Sequence, residues 1–143
     1  MSACAVMVSP NGITEMANIV RIAEYMEVNL DTERWLCAKC GHDCGSAREN
    51  MKYGLLVAER DPTEVHRPLI DNEINFAPNP EWIRILEFYC PGCGLQMETE
   101  YLPPGHPITN TTEIDIDSLK RRLANNEIEI VDKHIQLVQG DAR

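Results

Sequence analysis

The sequence predicts a mainly β chain with flanking helices (α+β), in which an antiparallel sheet surrounds one four-cysteine site, with an N-terminal helix before it and an extended C-terminal tail after it. Three observations carry that prediction. The stretch Trp35-Leu36-Cys37-Ala38-Lys39-Cys40-Gly41 returns as Phe88-Tyr89-Cys90-Pro91-Gly92-Cys93-Gly94: an apolar approach, two cysteines with two residues between them, and a glycine. The second copy is entered by an aromatic and β-branched run at 82–89 and left by an alternating run at 95–101. The helical patterns lie at the two ends of the chain.

A Cys-x-x-Cys-Gly turn aims two sulfurs at one point because the chain folds back sharply, and glycine accepts the positive φ required after the second cysteine. Two such turns bring four thiolates, and four thiolates at roughly 2.3 Å around Zn2+ form a closed tetrahedral structural site with no position for water or substrate. Cys37, Cys40, Cys90 and Cys93 are therefore the predicted ligands of one structural zinc per chain. A single Cys-x-x-Cys suits a thioredoxin-like redox pair, but two copies, each followed by glycine, favour a metal over redox pairs or disulfides. An all-sulfur site also suits a single iron. Cys90-Pro91-Gly92-Cys93-Gly94 is similar to one half of a rubredoxin site, although rubredoxins are far shorter than this chain. His42 and Cys44 are further candidates for a ligand position. Cys44 reads better as a free thiol or as a group beside the metal, and Cys4 as uninvolved.

In chain order, Ser9-Pro10-Asn11-Gly12 is a turn cluster, and Thr14 is a candidate N-cap with Glu15 in the first turn. Met16, Ile19, Val20, Ala23 and Met26 then follow at helical spacing, a face that packs on its own domain or docks on another subunit. From 27 to 36 the period shortens, which reads as one strand delivering Cys37. The run 53–58 reads as a buried strand stopped by the turn 59–62. Residues 67–80, with three prolines, read as a long surface loop of the kind that forms interfaces. Strand 82–89, metal turn and strand 95–101, the latter with Leu95, Met97, Thr99 and Tyr101 on one side and Gln96, Glu98 and Glu100 on the other, form a zinc-ribbon-like hairpin. The prolines at 103–107 end it. The tail reads as a short helix capped by Asp117 and closed near Asn125-Asn126, followed by an alternating run at 127–131. Lys120-Arg121-Arg122 reads as a solvated helix face. The predicted organisation is an arm and helix at 1–27, a zinc-ribbon-like domain at 28–110, and a helix and strand tail at 111–143 docked on partner subunits.

Lys and Arg number 13 against 23 Asp and Glu, a formal net charge of −10 and a pI near 4.8. Phosphate backbones call for basic patches, so nucleic acid is disfavoured as a partner. The first eight residues carry no basic flank and only a short apolar run, which predicts neither a secretory signal nor a membrane span. Reduced cysteines then point to the cytoplasm. No Walker-type loop, Gly-x-Ser-x-Gly or His-Glu-x-x-His occurs. His66, His106 and His134 stand apart without a partner at catalytic spacing. The residues thus describe a small acidic zinc-stabilised chain without a catalytic constellation of its own.

The order and spacing of several motifs add a resemblance. Cys-Ala-Lys-Cys-Gly-His at 37–42, Glu-Arg-Asp-Pro at 59–62, the strand and Cys-Pro-Gly-Cys-Gly of 82–94, and Pro-Pro-Gly at 103–105 ahead of Asp115-Ile116-Asp117 together resemble the acetone carboxylase gamma subunit and its acetophenone carboxylase relative. The likeness spans roughly residues 28–119. It implies a small zinc-bearing subunit of a large cytoplasmic ketone carboxylase of acetophenone or acetone type, with the less familiar N-terminal helix and tail leaning to the acetophenone type. In that family the larger, hydantoinase-like subunits would hold ATP and a divalent metal, phosphorylate ketone and bicarbonate, and join them to a β-keto acid. The resemblance gives this chain a structural part, with Cys37, Cys40, Cys90 and Cys93 as metal ligands and no catalytic or cofactor-binding residue. The alternatives from other function classes are a stand-alone zinc-ribbon binding module and a rubredoxin-like iron electron carrier.

Overall fold

The computed structural model describes residues 18–71 and 74–138. In order, the elements are β1 (Ile19–Arg21), β2 (Met26–Asn29), β3 (Arg34–Cys37), β4 (Asp43–Ser46), a 3-10 turn (Met51–Gly54), β5 (Leu56–Arg60), the one-turn helix α1 (Pro62–Val65), β6 (Arg84–Tyr89), β7 (Gln96–Leu102), α2 (Ile116–Ala124), β8 (Ile128–Val131) and β9 (His134–Leu137). The strands form three sheets, ordered β1-β2-β3-β4, β5-β6-β7 and β8-β9, in which every neighbouring pair is antiparallel.

The helix expected around Met16 to Met26 does not form over its described part. Ile19 and Val20 lie in β1, with Val20 opposite Val28, and Met26 begins β2. Paired β-branched residues pack well on a pleated surface, and a partner strand overrides the helical spacing. Thr14 and Met16 lie outside the described residues. The single strand expected over 27–36 is a hairpin instead. The Asn29 side-chain oxygen accepts the N–H groups of Asp31 (2.9 Å) and Thr32 (3.1 Å), which turns the chain so that β3 returns and ends at Cys37.

One core joins the first two sheets and α2. Val20, Met26, Val28, Leu30 and Trp35 meet Leu86, Phe88, Leu102 and Ile116, all buried. The Trp35 indole N–H reaches the Glu49 carbonyl at 3.0 Å, so the largest core side chain leaves no orphan donor. β6 is the central strand of its sheet and is buried on both faces, with Ile85 and Phe88 each 0% exposed.

Two strands depart from their predicted burial. β5 is an edge strand rather than a buried one, with Leu56 58% and Val57 48% exposed. In β7 the expected alternation changes phase. Phe88 opposes Glu98 but Tyr89 opposes Gln96, so Met97 is the extra residue of a bulge. Beyond it Glu100 is buried and Tyr101 is exposed. The inward carboxylates meet Lys52, whose side chain is 0% exposed. Its ammonium lies 2.9 Å from Glu100 and 3.2 Å from Glu98, donates to the Thr109 carbonyl at 3.0 Å, and stands 5.3 Å from the centre of the Phe88 ring. Burial raises the Glu100 carboxyl, but the Thr109 hydroxyl and Lys52 outweigh it and hold the group below its ordinary value.

The tail folds onto the chain's own first sheet. Asp115, not the expected Asp117, caps α2, accepting the Ser118 N–H at 2.8 Å. Asp117 instead pairs with Arg48 at 2.7 Å. The basic face is not simply solvated, since Lys120 meets Glu33 at 2.6 Å while Ile116, Leu119 and Leu123 face the core. The β8-β9 turn is held by Lys133, which reaches Glu27 at 2.8 Å and offers its carbonyl to the Arg21 N–H, also at 2.8 Å.

Candidate metal centre

The centre is built from two hairpin tips of the same design. The β3-β4 tip holds Cys37 and Cys40, and the β6-β7 tip holds Cys90 and Cys93. In the first, Gly41 donates to the Cys37 carbonyl at 2.8 Å and Cys37 donates to the His42 carbonyl at 2.9 Å. In the second, Gly94 donates to Cys90 at 2.8 Å and Cys90 to Leu95 at 2.9 Å. Gly41 (φ 73°) and Gly94 (φ 71°) take the left-handed backbone that each tip requires, as the repeated glycine predicts. The tips are packed directly on each other: a Cβ at Gly92 would stand 2.8 Å from the His42 Cβ, so only glycine fits there unless His42 moves.

Two sheets that are not hydrogen-bonded to each other thereby bring four sulfurs together, all within 4.8 Å of one another. Cys37 and Cys93 are 3.9 Å apart, and Cys40 and Cys90 are 3.7 Å apart. A tetrahedron of sulfurs at roughly 2.3 Å from a central ion has edges of about 3.8 Å, so the donor set fits a four-coordinate thiophilic cation. Cys37 and Cys90 are buried, while Cys40 and Cys93 lie at the surface.

Thiols gathered at one point resist ionising together when no cation stands among them. Cys40 is an exposed residue whose sulfur nevertheless faces the other three, and it is pushed up to about 12, with desolvation leading. Cys90 is raised, again by desolvation first. Cys93 is lowered, chiefly by the Leu95 backbone N–H. A bound divalent ion reverses the balance, because coordination to it deprotonates thiols outright.

The other sequence candidates fall outside this group. Cys44 is buried on β4, and its thiol points to the His42 carbonyl at 3.5 Å. Burial pushes it up to about 11, the state of an inert thiol. His42 packs on Gly92 and contributes its backbone carbonyl to the first tip. His66 is hydrogen-bonded to the Tyr101 hydroxyl at 2.8 Å, and His106 and His134 each contact a carbonyl close by in sequence. Cys4 lies outside the described residues. Two contacts depend on distant strands: Gly92, inside the second cysteine motif, packs on His42, and Lys52 is enclosed by Glu98 and Glu100 of β7.

The family model of the acetone carboxylase gamma subunit matches residues 15–124 of this chain. The chain belongs to the acetone carboxylase gamma subunit family. Among relatives in this family, the acetophenone carboxylase beta subunit of Aromatoleum aromaticum is 58% identical over 113 residues, covering 79% of this chain and 88% of that protein. The acetone carboxylase gamma subunit of Xanthobacter autotrophicus is 29% identical over 87 residues, covering 60% of this chain and 51% of that protein. For this member of the family, the matched region takes in both cysteine pairs, β1 to β7 and α2. No helix among the described residues is long and apolar enough to cross a membrane.

Proposed function

We propose that this chain is a zinc-stabilised, non-catalytic subunit of a cytoplasmic, multisubunit, ATP-dependent ketone carboxylase of acetophenone type, a ligase that joins a ketone and bicarbonate into a β-keto acid. The observation that carries the reading is the convergence of Cys37, Cys40, Cys90 and Cys93 in a chain of this family. Four sulfurs close the coordination sphere of an ion and leave no position for a substrate, which favours a structural part over a catalytic one. Thiolate donors suit zinc. The greater identity to the acetophenone carboxylase subunit supports the aromatic ketone over acetone. ATP and its divalent metal then belong to larger, hydantoinase-like partners.

Docking on those partners is supported by apolar side chains that are exposed among the described residues. Leu137 is 70% exposed on β9, and Phe76 is 93% exposed in the loop after α1. Co-expression with the larger subunits of a ketone carboxylase, followed by affinity capture and metal analysis, tests the reading. The expected result is a stable complex holding one zinc in each copy of this chain and carboxylating an aryl ketone. A chain that captures no larger subunit on co-expression, larger subunits that stay fully active without it, or a chain that carries iron with visible absorption bands would refute it.

A further inference from the structure

The four sulfurs are not equivalent. Cys37 is 1% exposed and Cys90 0%, whereas Cys40 and Cys93 reach the surface. Two cross-tip approaches, Cys37 to Cys93 at 3.9 Å and Cys40 to Cys90 at 3.7 Å, each join an exposed cysteine to a buried one on the opposite hairpin. A small oxidant can meet Cys93 or Cys40 first, and the sulfur waiting behind it belongs to the other sheet.

We infer that the centre is an oxidation-releasable clasp, in which a hydroperoxide converts the four ligands into two disulfides running between the hairpins, Cys37 to Cys93 and Cys40 to Cys90, and expels the ion. The inference rests on the metal reading above. In the first step the Cys93 thiolate attacks one peroxide oxygen, the O–O bond breaks, hydroxide leaves and a sulfenic acid forms. The Cys37 thiolate then attacks that sulfur, the S–O bond breaks, the S–S bond forms and a second hydroxide leaves. Two thiolates lose two electrons and one hydroperoxide gains them. The second pair repeats the sequence with another hydroperoxide. A disulfide sulfur carries no negative charge and is a poor ligand, so the ion has only two thiolates left after the first bond and none after the second. Because both bonds cross from β3-β4 to β6-β7, they keep the two sheets joined once the ion has gone, and a dithiol reductant returns the four thiolates for reloading.

The test uses the full, zinc-loaded chain titrated with hydrogen peroxide. Released zinc is read by a colorimetric chelator, and linkages are read by mass spectrometry of an unreduced tryptic digest. Cleavage after Lys39 separates Cys37 from Cys40, so a bond within the first hairpin joins two small peptides, whereas cross-hairpin bonds join each of them to the peptide carrying Cys90 and Cys93, where fragmentation between Cys90 and Pro91 tells which of the two sulfurs holds which partner. The expected outcome is about two hydroperoxides consumed per ion released, Cys37–Cys93 and Cys40–Cys90 linkages, recovery of zinc binding after dithiol treatment, and the same map in C44S. Zinc held through excess peroxide, a Cys37–Cys40 or Cys90–Cys93 bond, the exchanged pairing Cys37–Cys90 with Cys40–Cys93, a bond to Cys44, or release accompanied only by irreversible sulfur oxides would each overturn it. If the reduced chain holds no metal, the metal reading fails on its own, and the linkage map still decides which sulfurs pair.

Discussion

At the scale of single residues, the cysteines divide by the backbone that carries them rather than by side-chain chemistry. Cys37, Cys40, Cys90 and Cys93 sit on turns closed by glycine, while Cys44 sits two residues past the first tip with its thiol on a carbonyl. Replacing Cys90 by Ser leaves three sulfurs and opens the coordination sphere. The variant is expected to lose most of its zinc and, with it, the order of both hairpin tips, as seen by metal analysis and circular dichroism. Cys44→Ser should keep its zinc at the parental ratio; metal loss from that variant would redraw the ligand set. The paired Cys-x-x-Cys-Gly spacing made the clustering of the four cysteines legible in sequence, because each turn is local and its geometry follows from a few neighbouring residues. The roles of Gly92 and Lys52 were not legible, since each depends on a residue that approaches from a different strand.

Among the elements, buried charge adds to the apolar core in joining the sheets away from the four cysteines. Lys52 joins the 3-10 turn after β4 to β7, and removing its ammonium leaves Glu98 and Glu100 facing the interior without a counterion. Lys52→Met is therefore expected to cost about 3–5 kcal/mol, measurable as a lowered urea midpoint with zinc present, and an unchanged midpoint would show that the carboxylates find water. Helix α2 is tied differently, through partly exposed pairs around Glu33. The hydrogen bonds from Arg48 and Lys120 hold Glu33 at about 2, below its ordinary 4.5. A depressed carboxylate contributes stability that is complete above about pH 4.5 and is lost as the pH falls towards about 2. Glu33→Gln should remove that slope, so that the difference in α2 stability between parent and variant shrinks with acidification across this window. Hydrogen exchange of the α2 amides reads it directly, and a difference that stays constant with pH would argue against the pairing.

For the whole molecule, the four-cysteine cluster and the core join the same two sheets. A structural zinc in such a site contributes on the order of 10–16 kcal/mol to folding, as much as the usual net stability of about 5–15 kcal/mol for a domain. Stripping the ion with a chelator under reducing conditions should therefore unfold the chain cooperatively. Trp35, 1% exposed between the sheets, makes a suitable reporter through its fluorescence shift on exposure. A chelated chain that keeps the buried emission of Trp35 would show that the apolar core suffices alone.

The sequence by itself determined the four sulfurs, the hairpin that carries Cys90 and Cys93, the long loop after α1 and the acidic balance, because each is written in a run of adjacent residues whose geometry is local. Tertiary structure alone decided that 19–29 pairs as strands and does not continue a helix, that Met97 bulges and reverses the faces of β7, that Asp115 rather than Asp117 begins α2, and that the tail lies on the first sheet. In the strands the choice rests on a partner brought from elsewhere in the chain, and at α2 on Arg48, which draws Asp117 out to an ion pair. Periodicity within one segment cannot register contacts made with another.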